Sequence, residues 1–350
     1  MLTLERRRAE RSRKPFVLML IDAHGLPETS KAEKFLRRLT SVVSNSTRET
    51  DVVGWYKKDV ILGVIFTEIS VETERSISEI LSSKIQGVLV DALDRELLAN
   101  IIMTVHLFPE NWNPQKSEPI ADVKLYPDIS HNRSNRRLPL AVKRLIDVVG
   151  STLLLLIFSP LLAAILIAIK LTSQGPIIFE QERLGQLGTR FKCLKFRTMY
   201  VNNDPKIHQE YVHRFISGQA ATPQSEDQAA APVYKITADP RVTPVGRILR
   251  KLSLDELPQF WNVLRGEMSL VGPRPPVPYE FEVYDIWHRR RVLELKPGVT
   301  GLWQVCGRSR TRFEEMVRLD LKYSRCWSLW LDLKILAATP RAVFTGEGAY

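Results

Sequence analysis

Residues 148–169, VVGSTLLLLIFSPLLAAILIAI, carry no charged side chain. An apolar run of about 18 or more residues is long enough to sit in the hydrocarbon of a bilayer, so this segment restricts the chain to folds that place it against lipid. Pro160, preceded by Ser159, stands at the centre of the run. A proline there removes a backbone hydrogen bond and bends the helix. Arg136, Arg137, Lys143 and Arg144 precede the run and Lys170 closes it. Positive charge at both ends draws both to the cytoplasmic face, which a re-entrant helix broken at Ser159 and Pro160 satisfies. From these residues alone a kinked single span stays open as the alternative.

The rest of the chain divides around this membrane segment, 146–171. Residues 15–110 read as a small α/β domain. It opens with the apolar strand FVLMLID and continues with a helix near Lys31 to Val43, whose apolar residues recur every three to four positions. VVGWYKKDVILGVIF follows as a hairpin, then a helical stretch from Ser76 to Leu98 and a closing strand, IIMTVHLF. This order resembles the GGDEF domain of bacterial nucleotide-cyclase signalling proteins. Where such a domain carries a glycine-rich acidic turn, this chain has Lys57, Lys58, Asp59, Val60 and Ile61. The resemblance therefore implies a degenerate, non-catalytic domain. Residues 111–139 read as a linker, polar and proline-bearing through Asn135, and 140–350 as a second domain. Gly218 to Ala231, rich in Gln, Ala and Ser, reads as a surface loop without chemistry. The expected fold class is thus a GGDEF-like α/β domain followed by a mainly α (α+β) membrane-embedded catalytic domain with a re-entrant, Pro-kinked helix.

Charge and cysteine usage narrow the partners. Fifty Lys+Arg against 39 Asp+Glu leave a net +11, a balance suited to nucleic acid, phospholipid headgroups or a phosphorylated substrate. The uncharged run, and the lack of any recognised basic-aromatic module, argue against nucleic acid. Cys193, Cys306 and Cys326 are scattered without metal-ligand or disulfide spacing. The six histidines, His106 and His288 among them, likewise show no metal spacing.

Asp255 and Glu256 stand in KLSLDELPQFWNVL, at or near the start of an amphipathic stretch. The plain reading is a capping box between Ser253 and Glu256. The company of Arg247, Arg250, Lys251, Arg265 and Arg274 favours a phosphate site, because guanidinium forks and a helix start both stabilise diphosphate oxygens. Gly272, Pro273 and Pro275 fix the backbone on either side of Arg274. HRRRVLELKPGVTGLWQV reads either as an interfacial segment around Trp303 or as a buried strand, and Trp327 and Trp330 share that ambiguity.

Five clusters, GPIIFEQERLG, FKCLKFRTM, ITADPRVTPVGRILRKLSLDELPQFWNVLRGEMSLVGPRP, KPGVTGLWQVCGR and LDLKYSRCWSLWLD, together with the terminal GEGAY, closely resemble the bacterial sugar transferases. These are monotopic phosphoglycosyl transferases that begin exopolysaccharide and O-antigen assembly. The usual bundle of four membrane helices is replaced here by the GGDEF-like domain. The resemblance implies transfer of a sugar-1-phosphate from a UDP-sugar to polyprenyl phosphate, with UMP released, at the cytoplasmic membrane with both domains on the cytoplasmic side. It implies Asp255 as nucleophile and Glu256 as the Mg²⁺ holder. Lys195, Arg250, Arg274, Arg308 and Asp320 are implied in the substrate site. A phospholipid membrane is an expected partner, and a second copy of the chain is compatible with the pattern. The competing readings are a membrane-anchored signalling protein and a glycosyltransferase that releases UDP.

Overall fold

The computed structural model describes residues 1–26, 30–69, 74–110, 122–129, 136–201, 206–217, 241–307 and 311–344. The chain forms two compact units: Met1–Trp112 with Ala121–Ser130, and Asn113–Ile120 with His131–Tyr350. Arg308, the Gly218–Ala231 stretch and the terminal GEGAY lie outside the described residues.

The first unit is built on an antiparallel sheet of β1 (Phe16–Asp22), β2 (Val52–Lys57), β3 (Ile61–Phe66) and β4 (Ile102–Phe108), ordered β2-β3-β1-β4. With helices Ser30–Ser46 and Glu74–Ala92 between strands, this is a split β-α-β-β-α-β arrangement. Val17, Met19 and Ile21 face Phe35, Leu39, Ile85 and Leu89 in one core. Phe16, Leu18 and Leu20 on the other face of β1 are also buried, which is why the central strand reads as unbroken apolar sequence.

Arg6, on the N-terminal helix Leu2–Ser12, is fully buried; it donates to the Leu125 carbonyl at 3.0 Å and pairs with Asp128 at 2.9 and 2.8 Å. Its guanidinium lies 4.6 Å from the centre of the Tyr126 ring, and Tyr126 packs edge-on against Phe108 of β4. Residues 122–129, within the stretch expected to be linker, are thereby part of the first unit. The apolar residues Leu125, Tyr126 and Ile129 supply the burial that a linker lacks.

The second unit begins with helices Arg137–Ile157 and Ser159–Thr172, which are bent by 62° relative to each other. The break falls at Phe158, and Ser159 Oγ donates to the Leu156 carbonyl at 2.7 Å while Pro160 opens the second helix. No single helix among the described residues is long and apolar enough to cross a membrane, and this bent pair meets the length and hydropathy test together. Leu145, Val149, Leu153, Leu156, Ile157, Ile167 and Leu171 are exposed along it.

Behind the pair, hairpin β5 (Ile178–Leu184) and β6 (Arg190–Phe196) pack with a short parallel pair, β7 (Ser269–Val271) and β8 (Gly298–Thr300), and with helices Phe313–Cys326 and Leu329–Phe344. Val292, Leu293 and Trp303 are buried, and the Trp303 indole donates to Thr311 Oγ1 at 3.2 Å. The segment around Trp303 is therefore core and not an interfacial strip. Trp327 is buried too, whereas Trp330 is 65% exposed.

Candidate active site

The acidic pair sits on a turn that its neighbours define. Thr243 caps the helix Pro244–Lys251 by accepting from the Gly246 amide at 2.9 Å, and Pro244 fits the first helical position. Gly246 lies against the Thr198 backbone so closely that any Cβ there would collide with it. After Lys251 the chain turns through Ser253, whose φ of 54° is left-handed, into the 3₁₀ turn Leu254–Glu256, and then enters the helix Gln259–Arg265. Ser253 makes no capping hydrogen bond, so the capping box that is the alternative to a phosphate site does not form. Glu256 is drawn instead to Lys195 on β6, with Nζ 2.7 Å from Oε1.

Asn262 holds this turn against β6. Fully buried, it accepts from the Leu194 amide at 3.0 Å and donates to the Lys192 carbonyl at 2.7 Å. The helix that follows the acids is thereby fixed beside the strand that presents Lys195. Arg250 donates to Thr198 Oγ1 at 2.9 Å, and the Arg274 guanidinium lies 5.7 Å from the centre of the Trp303 ring. Arg183 is buried behind them, donating to the Pro275 carbonyl at 2.5 Å and to Gln181 Oε1 at 2.7 Å.

The two carboxyls feel this surrounding differently. Desolvation raises the Asp255 carboxyl above its ordinary range and the neighbouring Glu256 charge adds to this, against the pull of Lys195 and Arg250. Burial pushes Glu256 upward as well, but the charge and hydrogen bond of Lys195, with Arg274 and Arg183, outweigh it and hold Glu256 below its ordinary range. One acid is thus firmly ionised and engaged. The other is held high and close to the same cations.

Asp320 is 1% exposed and ion-paired with Arg291 at 2.6 Å. Burial pushes its carboxyl up to about 6 against the attraction of Arg291 and Arg274. Arg291, itself buried, also donates to the Tyr284 hydroxyl at 3.2 Å and to the Arg274 carbonyl at 3.0 Å. Asp320 therefore stands one side chain behind Arg274. Lys195, Arg250, Asp255, Glu256 and Arg274 come together, with Asp320 in the layer behind them. Arg183, Asn262 and Arg291 also build the site. Arg183 had a readable signal as a charged residue inside the quoted FEQERLG cluster, whereas Asn262 gave none beyond polarity in apolar surroundings and Arg291 none beyond its place in the basic run HRRR.

Residues 138–346, more than half of the chain, match the bacterial sugar transferase family. The chain belongs to that family. It is 42% identical over 211 residues to "Galactosyl transferase CpsE" of Streptococcus agalactiae, covering 60% of this chain and 44% of CpsE. It is 41% identical over 211 residues to "Exopolysaccharide production protein ExoY" of Rhizobium meliloti, 59% of this chain and 88% of ExoY. A third relative is the "UDP-glucose:undecaprenyl-phosphate glucose-1-phosphate transferase" of Escherichia coli, 37% identical over 274 residues, 75% of this chain and 51% of that protein. The chain spans about half the length of CpsE and of the Escherichia coli relative. The family match begins at residue 138, so every residue of the acidic turn and its cations lies inside it.

Among the described residues no group of three or more His, Cys, Asp or Glu side chains is placed to hold a metal. Two adjacent carboxylates suit Mg²⁺ nonetheless, because that ion is commonly bound by one or two carboxylates together with substrate phosphates and water. Asp255 and Glu256 are the donors this site can offer it.

Proposed function

We propose that this chain transfers a sugar-1-phosphate from a UDP-sugar to polyprenyl (undecaprenyl) phosphate through a covalent aspartyl-phosphosugar, releasing UMP. A carboxylate oxygen of Asp255 attacks the β-phosphorus, and the bond to the bridging oxygen breaks so that UMP departs with that oxygen. An oxygen of polyprenyl phosphate then attacks the same phosphorus, freeing Asp255 and leaving a polyprenyl diphosphate sugar. Glu256 would hold Mg²⁺, whose charge offsets that of the departing phosphate. Lys195, Arg250 and Arg274 bind and orient the diphosphate oxygens. The observation that carries the reading is the pairing of a raised, desolvated Asp255 with an ionised Glu256 clamped by Lys195.

The bent helix pair, exposed in apolar residues and bounded by basic ones, supports a re-entrant seat in the cytoplasmic membrane with both units on the cytoplasmic face. The names of the relatives divide between galactose and glucose, which supports a UDP-hexose donor and a pathway of exopolysaccharide type. The first unit, without the glycines of a GGDEF turn, is a degenerate domain and not a cyclase. The test is to incubate membranes containing the full chain with a panel of UDP-sugars, Mg²⁺ and polyprenyl phosphate. UMP is the expected product; UDP in its place overturns the reading.

A further inference from the structure

Helix Arg137–Ile157 carries three polar side chains that a membrane-seating helix does not need for seating. Lys143, Asp147 and Ser151 are its buried residues, spaced four apart on one face. Lys143 Nζ donates to the Val271 carbonyl at 2.9 Å and pairs with Asp332 at 2.7 Å. Asp332 is also held by the Tyr323 hydroxyl at 2.6 Å and the Trp327 indole at 3.1 Å. One turn along, Asp147 Oδ1 accepts from the Leu270 amide and the Ser269 hydroxyl, both at 2.9 Å. Gly150 completes the contact, since a Cβ there would stand 2.8 Å from Leu270 Cδ1.

Three of those bonds, at Ser269, Leu270 and Val271, end on β7, the strand that leads through Gly272 and Pro273 into Arg274. The intervening residue between Lys143 and Asp147 on the other side matters too. Arg144 donates to the Val263 and Leu264 carbonyls at 2.6 and 2.8 Å, at the end of the helix that follows Asp255 and Glu256. A cation there complements the helix C-terminus. One stretch of five residues thus grips both segments that carry the phosphate site.

We infer that Lys143, Arg144 and Asp147 are positioning residues: through them the helix Arg137–Ile157 sets the placement of Arg274 and of the acidic turn. Four of the bonds run to backbone atoms of β7 and of the helix after the acids, so they fix where the segments lie without touching substrate. Displacement by about 1 Å of a phosphate-orienting group is enough to lower turnover about 100-fold. The inference rests on the phosphotransfer reading for its kinetic consequence and on the hydrogen bonds alone for its structural one.

Asp147→Leu removes both acceptor bonds to β7, whereas Asp147→Asn keeps an oxygen in the same place. In the full chain in membranes, Asp147→Leu is expected to lower kcat for UMP release roughly 10- to 100-fold with little change in KM, and Asp147→Asn to restore most of it. Combined with Arg274→Ala, Asp147→Leu should add almost nothing, because both act through one group. Multiplying effects, or an Asp147→Leu enzyme with full kcat, overturn the assignment. Hydrogen exchange reads the same coupling without turnover. Faster exchange at residues 269–272 in Asp147→Leu and unchanged exchange in Asp147→Asn support it, and unaltered exchange in both overturns it. Wild-type release of UDP counts against the phosphotransfer reading only, and the exchange pattern then decides the scaffold by itself.

Discussion

Each of the two units bends its chain through a left-handed non-glycine residue beside charged side chains, and the two bends have opposite fates. In the first unit Asp59, with φ of 56°, closes the turn between β2 and β3, with Lys57, Lys58 and Asp59 all exposed. In the second, Ser253 turns the chain into Asp255 and Glu256, which meet Lys195, Arg250, Arg274 and Arg183 from three other segments. Local geometry is therefore not what makes a reactive turn. The difference is convergence: charges brought in from distant parts of the sequence and partly withdrawn from water, so that their mutual fields are screened less.

The largest effect expected from this contrast is at Asp255, the proposed nucleophile. Asp255→Asn should lower UMP release by about 10³-fold or more, since an amide cannot serve as the nucleophile. Asp59→Asn should leave it unchanged. Turnover of both variants in membranes, with membrane association checked by sedimentation, decides the matter. Normal turnover in Asp255→Asn would break the contrast at its root.

The units also each bury an arginine against an aspartate, which sharpens the comparison. Arg6 with Asp128 fastens residues 122–129 to the first unit, and Arg291 with Asp320 fastens the backbone of Arg274. Removing one partner of a buried pair strands the other charge and costs about 3–5 kcal/mol. Arg291→Met should destabilise its unit by an amount of this order in chemical denaturation, and Arg6→Met by less, because Asp128 keeps 23% of its side chain in water. Arg291→Met alone should also lower turnover at temperatures where the enzyme remains folded. Equal turnover in the two variants would show that Arg291 does not act through Arg274.

A smaller effect is carried by pH. Desolvation raises the Glu110 carboxyl to about 7, with the Asp122 charge adding and the Tyr126 and Asp122 hydrogen bonds opposing. Between about 4.5 and 7 the folded state keeps a proton that the unfolded chain has released. Stability of the first unit therefore falls by roughly 3 kcal/mol as pH rises through that window and is level above it. Glu110→Gln should flatten the profile; a wild-type denaturation curve unchanged between pH 5 and pH 8 contradicts the buried carboxyl.

Much of this architecture was legible because local patterns carry it. The strands FVLMLID and IIMTVHLF, the hairpin around Lys57 and the bend at Ser159 and Pro160 follow from periodicity and proline chemistry, and each element stands at those residues. What periodicity could not show was tertiary. Nothing local distinguishes a Ser253–Glu256 capping box from a Glu256 drawn to a lysine 61 positions earlier. The basic lead-in to Trp303 left an interfacial segment and a buried strand both open because Arg291 is charged, and the distant Asp320 accounts for its burial. Residues 122–129 looked like linker because the arginine that fastens them is at position 6.

The smallest effect lies at the two left-handed residues themselves. A left-handed backbone costs a non-glycine residue roughly 1–2 kcal/mol, less for Asp, while glycine gives back up to about 1 kcal/mol through the greater entropy of the unfolded chain. Asp59→Gly and Ser253→Gly should thus each change stability by less than about 1 kcal/mol. Their kinetics should differ. Asp59 is exposed on a hairpin that stands apart from the acidic turn in sequence and in unit, so turnover should be unaffected. Ser253 is the hinge on which Asp255 is aimed at Lys195 and Arg250, and a freer hinge spreads that carboxylate over more orientations. A severalfold lower kcat in Ser253→Gly at unchanged stability is expected, and equal kcat in the two glycine variants would mean that the turn is held by Asn262 and the surrounding cations alone.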